Sequence, residues 1–370
     1  MTLAWIAATL LAGLVVKLLL GSKAKAAPAR SRNASAVSQA AGTGVAAVAA
    51  GPTESVPIEL QAFSMIRADD LPLPRQQALA QSFKDVPRPP RLLQQLVSPA
   101  FLADASSAQL VDLIAAEPLI AAQVLAAVNS PLYGLQHPVA SIGQAVTYLG
   151  LNTVRAICLR YLLIASFKAD SPERARILDA IWASSAIAGD LAGQLAQRLG
   201  MGDHGAIVSA VLLSFLGRLA IAATGSQDSL VAQAEPDALA RAAAEQARLG
   251  LCAAELGRLL MREWGLPDSI VADAADIEAV MLKPNSAFDA ERAARLGLSH
   301  FCVRWSERLV NADPGDDPTF DPRAEAGAEL FHLRGYLRLP QLSRLAEFSQ
   351  APTLMASIQK QHAALAGRGA

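Results

Sequence analysis

Between Pro87 and Gly150 the chain is punctuated by a dense series of helix start and stop signals that leaves little room for anything but short helices. Pro87 to Pro90 is an entry turn, followed by Leu92, Leu93, Leu96 and Val97 at helical spacing. Ser106 with Gln109 forms a capping box ahead of the apolar stripe Leu110, Leu113 and Ile114. Pro118 opens the next helix, in which Ile120, Val124, Leu125 and Val128 share a face until Asn129-Ser130-Pro131 stops it. Ser141 with Gln144 is a second capping box, leading through Ile142, Ala145, Val146 and Leu149 to Gly150 as a C-terminal stop.

Composition points the same way. The chain is 52% hydrophobic but only 5% aromatic, because alanine and leucine supply most of the apolar content. Both are strong helix formers, and the scarcity of alternating β-branched and aromatic residues argues against extensive sheet, so the expected class is all-α. A net charge of −1 gives no basic footprint, and no nucleic-acid partner is expected. Cys158, Cys252 and Cys302 are odd in number and widely spaced, which suits a reducing compartment and small buried hydrophobes better than a disulfide framework.

Leu3 to Leu20 is almost wholly apolar and just long enough to span a hydrocarbon core of ~30 Å as a helix. Its one charge, Lys17, lies near the end and can snorkel to the headgroups. Lys17, Lys23, Lys25, Arg30 and Arg32 all fall toward the C-terminal side of this segment, which places the N-terminus outside and the rest of the chain in the cytoplasm. The competing reading is a cleaved signal peptide with a processing site at Ala24 to Ala26, but Met1 to Leu10 lacks the basic n-region that it needs. The expected organisation is a transmembrane anchor over 1–22, a linker and lead-in over 23–84, a folded body over 85–285 and a C-terminal helical extension over 286–370. Gly21 to Pro57 reads as a flexible tether, and Pro57 to Phe83 receives no structural assignment.

The ordered motifs of the body resemble a known family. The stretch from Val86 to Leu96 (V-P-R-P-P-R-L-L-Q-Q-L) is followed by Glu117-Pro118, by the turn Asn129 to Gly134 and by the helix Ser141 to Gly150. The series continues with Trp182-Ala183-Ser184-Ser185, with L-L-S-F-L-G-R-L-A and with L-G-L-C-A-A-E-L-G-R-L-L-M-R-E-W-G-L-P. In this order they resemble the HDOD domain, the HD-related output domain of bacterial signalling proteins, over residues 85–285. The resemblance implies a multi-helix bundle, a bacterial source, an inner-membrane location for the anchor and a regulatory role. HDOD domains often accompany modules that make or degrade cyclic-di-GMP, and none of these 370 residues carries one. If that pathway is involved, it is expected to act through a separate partner or by direct binding of the nucleotide.

The same resemblance shows where chemistry has gone. Ala210 to Ala220 matches the helix that carries an adjacent His-Asp metal pair in HD-superfamily phosphohydrolases, and here the pair is Ser214 and Phe215. The other ligand histidines would fall at Ser184 and Ala253, with a further pair near Ile277 and Glu278. A phenyl ring ligates nothing and a hydroxyl is a poor ligand for a hard divalent ion, so no metal, cofactor or catalytic residue is expected. His137, His204, His300, His332 and His362 show no paired ligand spacing and read as surface or loop residues. Asp69-Asp70 and Asp313 to Asp317 read as solvated turns.

Glu117, Asn129, Tyr133, Arg155 and Arg218 are the candidates for a partner or ligand surface. Asn129 could equally be a helix stop, and Trp182 and Trp264 read as core. Arg218 either fills the vacated site or points to solvent. The expected function is a non-catalytic, membrane-tethered signalling scaffold. The alternative is a sensor that binds a nucleotide or other small anion in the vestigial HD cavity through Arg155, Arg160 and Arg218. Beyond Lys283, Ala290 to Leu309 reads as an amphipathic helix, and the later helices through Arg334 to Ile358 as either packing or docking elements.

Overall fold

The computed structural model describes residues 55–82, 86, 89, 91–129, 138–313, 316–356 and 358. The anchor and tether expected ahead of residue 55 lie outside these, as do Tyr133, His137 and His362. All described secondary structure is helical, with no strand.

The punctuation read between Pro87 and Gly150 becomes α3 (Arg91–Leu96), α4 (Pro99–Asp104), α5 (Ser107–Ala115), α6 (Pro118–Val128) and α7 (Ile142–Leu149), preceded by α1 (Ile58–Ala62) and α2 (Leu73–Ser82). At Ser106 the capping box is formed in both directions. At Ser141 only half of it forms: the hydroxyl accepts the Gln144 N–H at 3.3 Å, while Gln144 Oε1 accepts from Ala140, one residue further back. Asn129 does more than stop α6. Its side-chain amide donates to the Val139 carbonyl at 2.8 Å and accepts the Val139 N–H at 2.6 Å, clamping the approach to α7 onto the end of α6. Gly150 turns α7 directly into α8 (Leu151–Ser166) with a φ of 81°, a conformation that L side chains rarely adopt.

The centre of the molecule is α9 (Pro172–Arg198), buried along most of its length from Leu178 to Ala196. It packs on one side against α10 (His204–Ser214) and on another against α16 (Ala290–Asn311). Gly189 and Gly193 allow the first of these approaches: a Cβ on Gly189 would stand 3.1 Å from Leu212 Cδ2, and one on Gly193 3.3 Å from Val208 Cγ2. Phe215 alone separates α10 from α11 (Leu216–Thr224). The run His204–Thr224 is apolar and long enough to cross a membrane, but 78% of its most apolar window is buried inside the protein, as befits a core helix pair. Then follow α12 (Gln227–Gln233), α13 (Ala238–Leu249), α14 (Ala253–Glu263) and α15 (Asp268–Asp276).

Both tryptophans read as core are core: Trp182 and Trp264 flank Phe167, each with ring centroids 6.3 Å away. All three cysteines are free and buried. The segment left unassigned by the sequence is folded onto α13 and α14. Gln246 binds the backbone of Ser64 and Ile66, and Glu255 Oε2 accepts the Ala68 N–H at 2.9 Å. Asp69, in a short 3-10 turn, pairs with Arg262 at 2.6 Å. At the C-terminal side α17 (Phe331–Tyr336), α18 (Leu345–Ser349) and the 3-10 turn between them (Pro340–Leu342) place Leu333, Tyr336, Leu342 and Leu345 in the main core, so this stretch packs.

Candidate functional site

Ser214 and Phe215, aligned in the sequence with the His-Asp pair of the resembled HD frame, lie where α10, α11 and α16 meet. Ser214 closes α10 by donating its hydroxyl to the Val211 carbonyl at 2.8 Å, and Phe215 turns inward at 1% exposure. One turn on, Arg218 is buried rather than solvated. Its Nη1 meets the Glu307 carboxylate of α16, while Nε and Nη2 donate to the side chain and backbone of Gln233 at 3.1 and 3.2 Å.

Glu307 is the hub of a buried network. Arg241 Nη2 donates to both of its oxygens at 3.1 and 3.0 Å, and Arg304 contacts it from the preceding turn of α16. Arg304 also reaches Glu329 at 2.8 Å and the Pro236 carbonyl at 2.9 Å. Gln233 passes the chain of bonds to Glu245 at 2.7 Å, and Glu245 accepts the Ala253 N–H at 2.7 Å. Thus Ala253, one of the positions aligned with an HD ligand in the sequence, feeds its backbone into the network, while Ser214, Phe215, Ile277 and Glu278 line a cavity at its edge. That cavity has a volume of about 20 Å³, room for a single water. Ser184 stands apart, bonded within α9 to the Ala180 carbonyl at 3.0 Å.

The charges follow from this enclosure. Burial alone would raise the Glu307 carboxyl, but Arg241, Arg218 and Arg304 outweigh it and hold it well below the usual carboxylate range. Burial, with the neighbouring Arg241 charge, lowers Arg218 to about 10, so it stays cationic at neutral pH. Burial reinforced by Glu245 lifts Glu278 to about 7. A divalent ion placed here would face three guanidinium groups and would lack the ligand pair of its frame, so the residues present do not fit a metal. Among the described residues no group of three or more His, Cys, Asp or Glu side chains is positioned to hold one.

Several sequence expectations need correction. His300 is no surface residue: it is buried on α16 facing this cavity, and burial together with Arg304 lowers it to about 3. The Ile277 backbone is the one neighbouring backbone group that favours its protonated form, and it is outweighed by burial. His204, the first residue of α10, lines a different cavity. Arg155 and Arg218 are both buried and so offer no surface to a partner, and Arg155, Arg160 and Arg218 do not converge. Arg155 lies beneath the start of α10 against Gly205, near Asp203, and burial lowers it to about 10. Glu117 and Asn129 flank α6 at its two ends, the first half-buried and the second exposed.

Glu307, Arg241, Glu245 and Gln233 went unnoticed in the sequence. A signal was available: His300, Arg304 and Glu307 fall on one face of a helix whose neighbours are apolar, a pattern of buried polar groups that must find partners.

The sequence profile of the HDOD domain matches residues 86–280. Among solved structures, an HDOD domain protein of unknown function from Geobacter sulfurreducens is 21% identical, with a TM-score of 0.57 over 80% of this chain and 98% of its own. A candidate signal transduction protein from Marinobacter aquaeolei VT8 is also 21% identical, with a TM-score of 0.54 over 84% of this chain and 64% of its own. A candidate phosphohydrolase from Shewanella amazonensis SB2B is 18% identical, with a TM-score of 0.49 over 77% of this chain and 98% of its own. No curated protein is similar in sequence to the chain.

Proposed function

The chain belongs to the HDOD family, and from that premise we propose that it is a non-catalytic signalling regulator acting through protein contacts, tethered beneath an inner membrane by Leu3 to Leu20. The observation that carries this reading is the ion pair of Arg218 with Glu307. A guanidinium occupies the turn after the lost His-Asp pair, and Phe215 is buried where a metal-binding carboxylate would stand. The frame has been rebuilt for stability, with its charge satisfied internally. A nucleotide sensor in the same place finds little support, because a cavity of about 20 Å³ admits no such ligand.

Protein contacts are favoured by the exposed apolar residues of α6 and α7. Leu119, 81% exposed beside Glu117 on α6, and Tyr148, half-exposed on the adjoining α7, present large apolar side chains to solvent. The partner is a signalling protein, with the cyclic-di-GMP pathway as the first place to look.

The test has three arms on the full-length protein. Zinc, iron and manganese should be substoichiometric after purification, and cyclic dinucleotides should survive incubation. Reporter fusions at Gly51 and Ala370 should both report cytoplasm. Affinity capture from native lysate should return a partner that Leu119→Asp loses. A tightly held equivalent of metal with hydrolysis would overturn the regulator, and periplasmic reporter activity would overturn the topology.

A further inference from the structure

A cavity of about 270 Å³ lies between α8, α9 and α10, sharing no lining residue with the charge cluster. The small side chains Ala156 and Ala186 leave it open, and Gly189 and Gly193 carry its floor along α9. Ile157, Val208 and Leu212 make the remaining walls largely apolar. Polar side chains interrupt these walls, among them Asn152, Thr153 and Gln197. Arg160 and Asp190 bring opposite charges, so the cavity has no strong net sign.

Two further groups point to an occupant. Tyr161 is 9% exposed and its hydroxyl has no hydrogen-bond partner among the described residues; the same holds for His204 Nε2 on the α10 side. An enclosed polar atom without a partner costs about 1–3 kcal/mol, so both atoms gain from a molecule that supplies one. The space equals the liquid volume of about nine waters, close to one or two aromatic rings. Water alone would satisfy the hydroxyl but would lie against mainly apolar walls.

We propose that this cavity binds a small aromatic heterocycle of one or two rings, uncharged overall, whose edge carries both a hydrogen-bond donor and an acceptor. The apolar walls enclose the rings, and Tyr161 Oη and His204 Nε2 read the edge. The balanced charges of Arg160 and Asp190 select against a strongly ionic ligand. The site is independent of the regulator reading, which concerns the cluster on the other side of α10. Occupancy nonetheless bears on that helix, since α10 carries His204, Val208 and Leu212 at the cavity and Ser214 at the cluster.

The experiment is a titration of the full-length protein with benzimidazole, neutral near physiological pH with an N–H donor and a nitrogen acceptor, read by ligand-observed NMR. Saturable binding in the millimolar range or tighter is expected. Tyr161→Phe should weaken it by about three- to tenfold, and indene, the ring analogue without nitrogens, should bind similarly weakly. Ala156→Phe fills the space and should weaken binding at least about tenfold. Thr153→Trp, at the half-exposed rim, does the same without touching the core, so a misfolded Ala156→Phe leaves the test intact. Absence of saturable binding by wild type up to about 10 mM, or undiminished binding in the folded filled variants, overturns the site. Equal affinity for indene and benzimidazole overturns the donor–acceptor edge.

Discussion

The Arg218 guanidinium and the Glu307 carboxylate, 89 residues apart in the chain, close an ion pair beside the buried ring of Phe215. Arg241 and Arg304 converge on the same carboxylate. One anion therefore holds three buried cations, which makes the two members of the pair unequal.

Glu307→Gln leaves three guanidinium groups without their shared counter-charge and should cost about 3–5 kcal/mol in urea unfolding. Arg218→Met replaces one of three cations by an apolar chain of similar length and should cost less than half as much. Equal losses, or a near-wild-type Glu307→Gln, would mean that water screens the network.

Phe215 tests whether the old ligand position is now core. Phe215→Ala should cost about 3–5 kcal/mol, and Phe215→Asp, which buries a carboxylate, at least as much. The melts require the full-length chain, because a fragment ending near Lys283 would lose α16, the main packing partner of α9. A Phe215→Asp protein that melts with wild type would refute the plug.

Glu278 and His300 titrate in opposite senses. Glu278 rises from 4.5 to about 7 on folding, so the folded protein binds more protons in that window and stability falls as pH rises through it. His300 drops from 6.5 to about 3, so stability falls as pH drops below 6.5. The slopes oppose each other where the windows overlap. Glu278→Gln removes the first alone, so its melting temperature should exceed that of wild type above neutral pH and lose the advantage toward pH 4.5. The difference should reach at most about 3–4 kcal/mol. A constant offset across this range would sink the assignment.

Gly217→Ala should be among the more damaging single-methyl additions in the chain. Its Cβ would fall 1.8 Å from the Ala253 carbonyl oxygen, forcing α11 away from α14. A loss of about 3 kcal/mol or more is expected by denaturant titration, against less than about 1 kcal/mol for Gly143→Ala, where nothing lies within 4 Å. Similar stabilities for the two variants would contradict the close crossing.

What could be read from the sequence was local. The capping box at Ser106, the stop at Gly150 and the core role of Trp182 are decided within a turn or two of chain, and the structure carries all three. That Ser214 and Phe215 stand where the resembled frame has His and Asp could be read because the surrounding spacing survives. The partner of Arg218 was not, since pairing across 89 residues leaves no trace in local periodicity. His300 misled for a related reason: ligand spacing says whether a histidine can bind a metal, but only tertiary packing says whether it is buried. The lead-in at residues 64–69 was missed because it is held by Gln246, Glu255 and Arg262, all far along the chain.

The network around Glu307 also bears on how readily a metal ligand set could be built at Ser214 and Phe215. Restoring His and Asp at Ser214 and Phe215 would add a carboxylate and an imidazole to a space of about 20 Å³, with Arg218 still beside them. Removing Arg218 first would break its ion pair and leave Glu307 held by Arg241 and Arg304, with no metal ligand gained. Each single change is expected to lower stability and none alone supplies a ligand set, so the packing that holds Glu307 in place also holds the site closed to a metal.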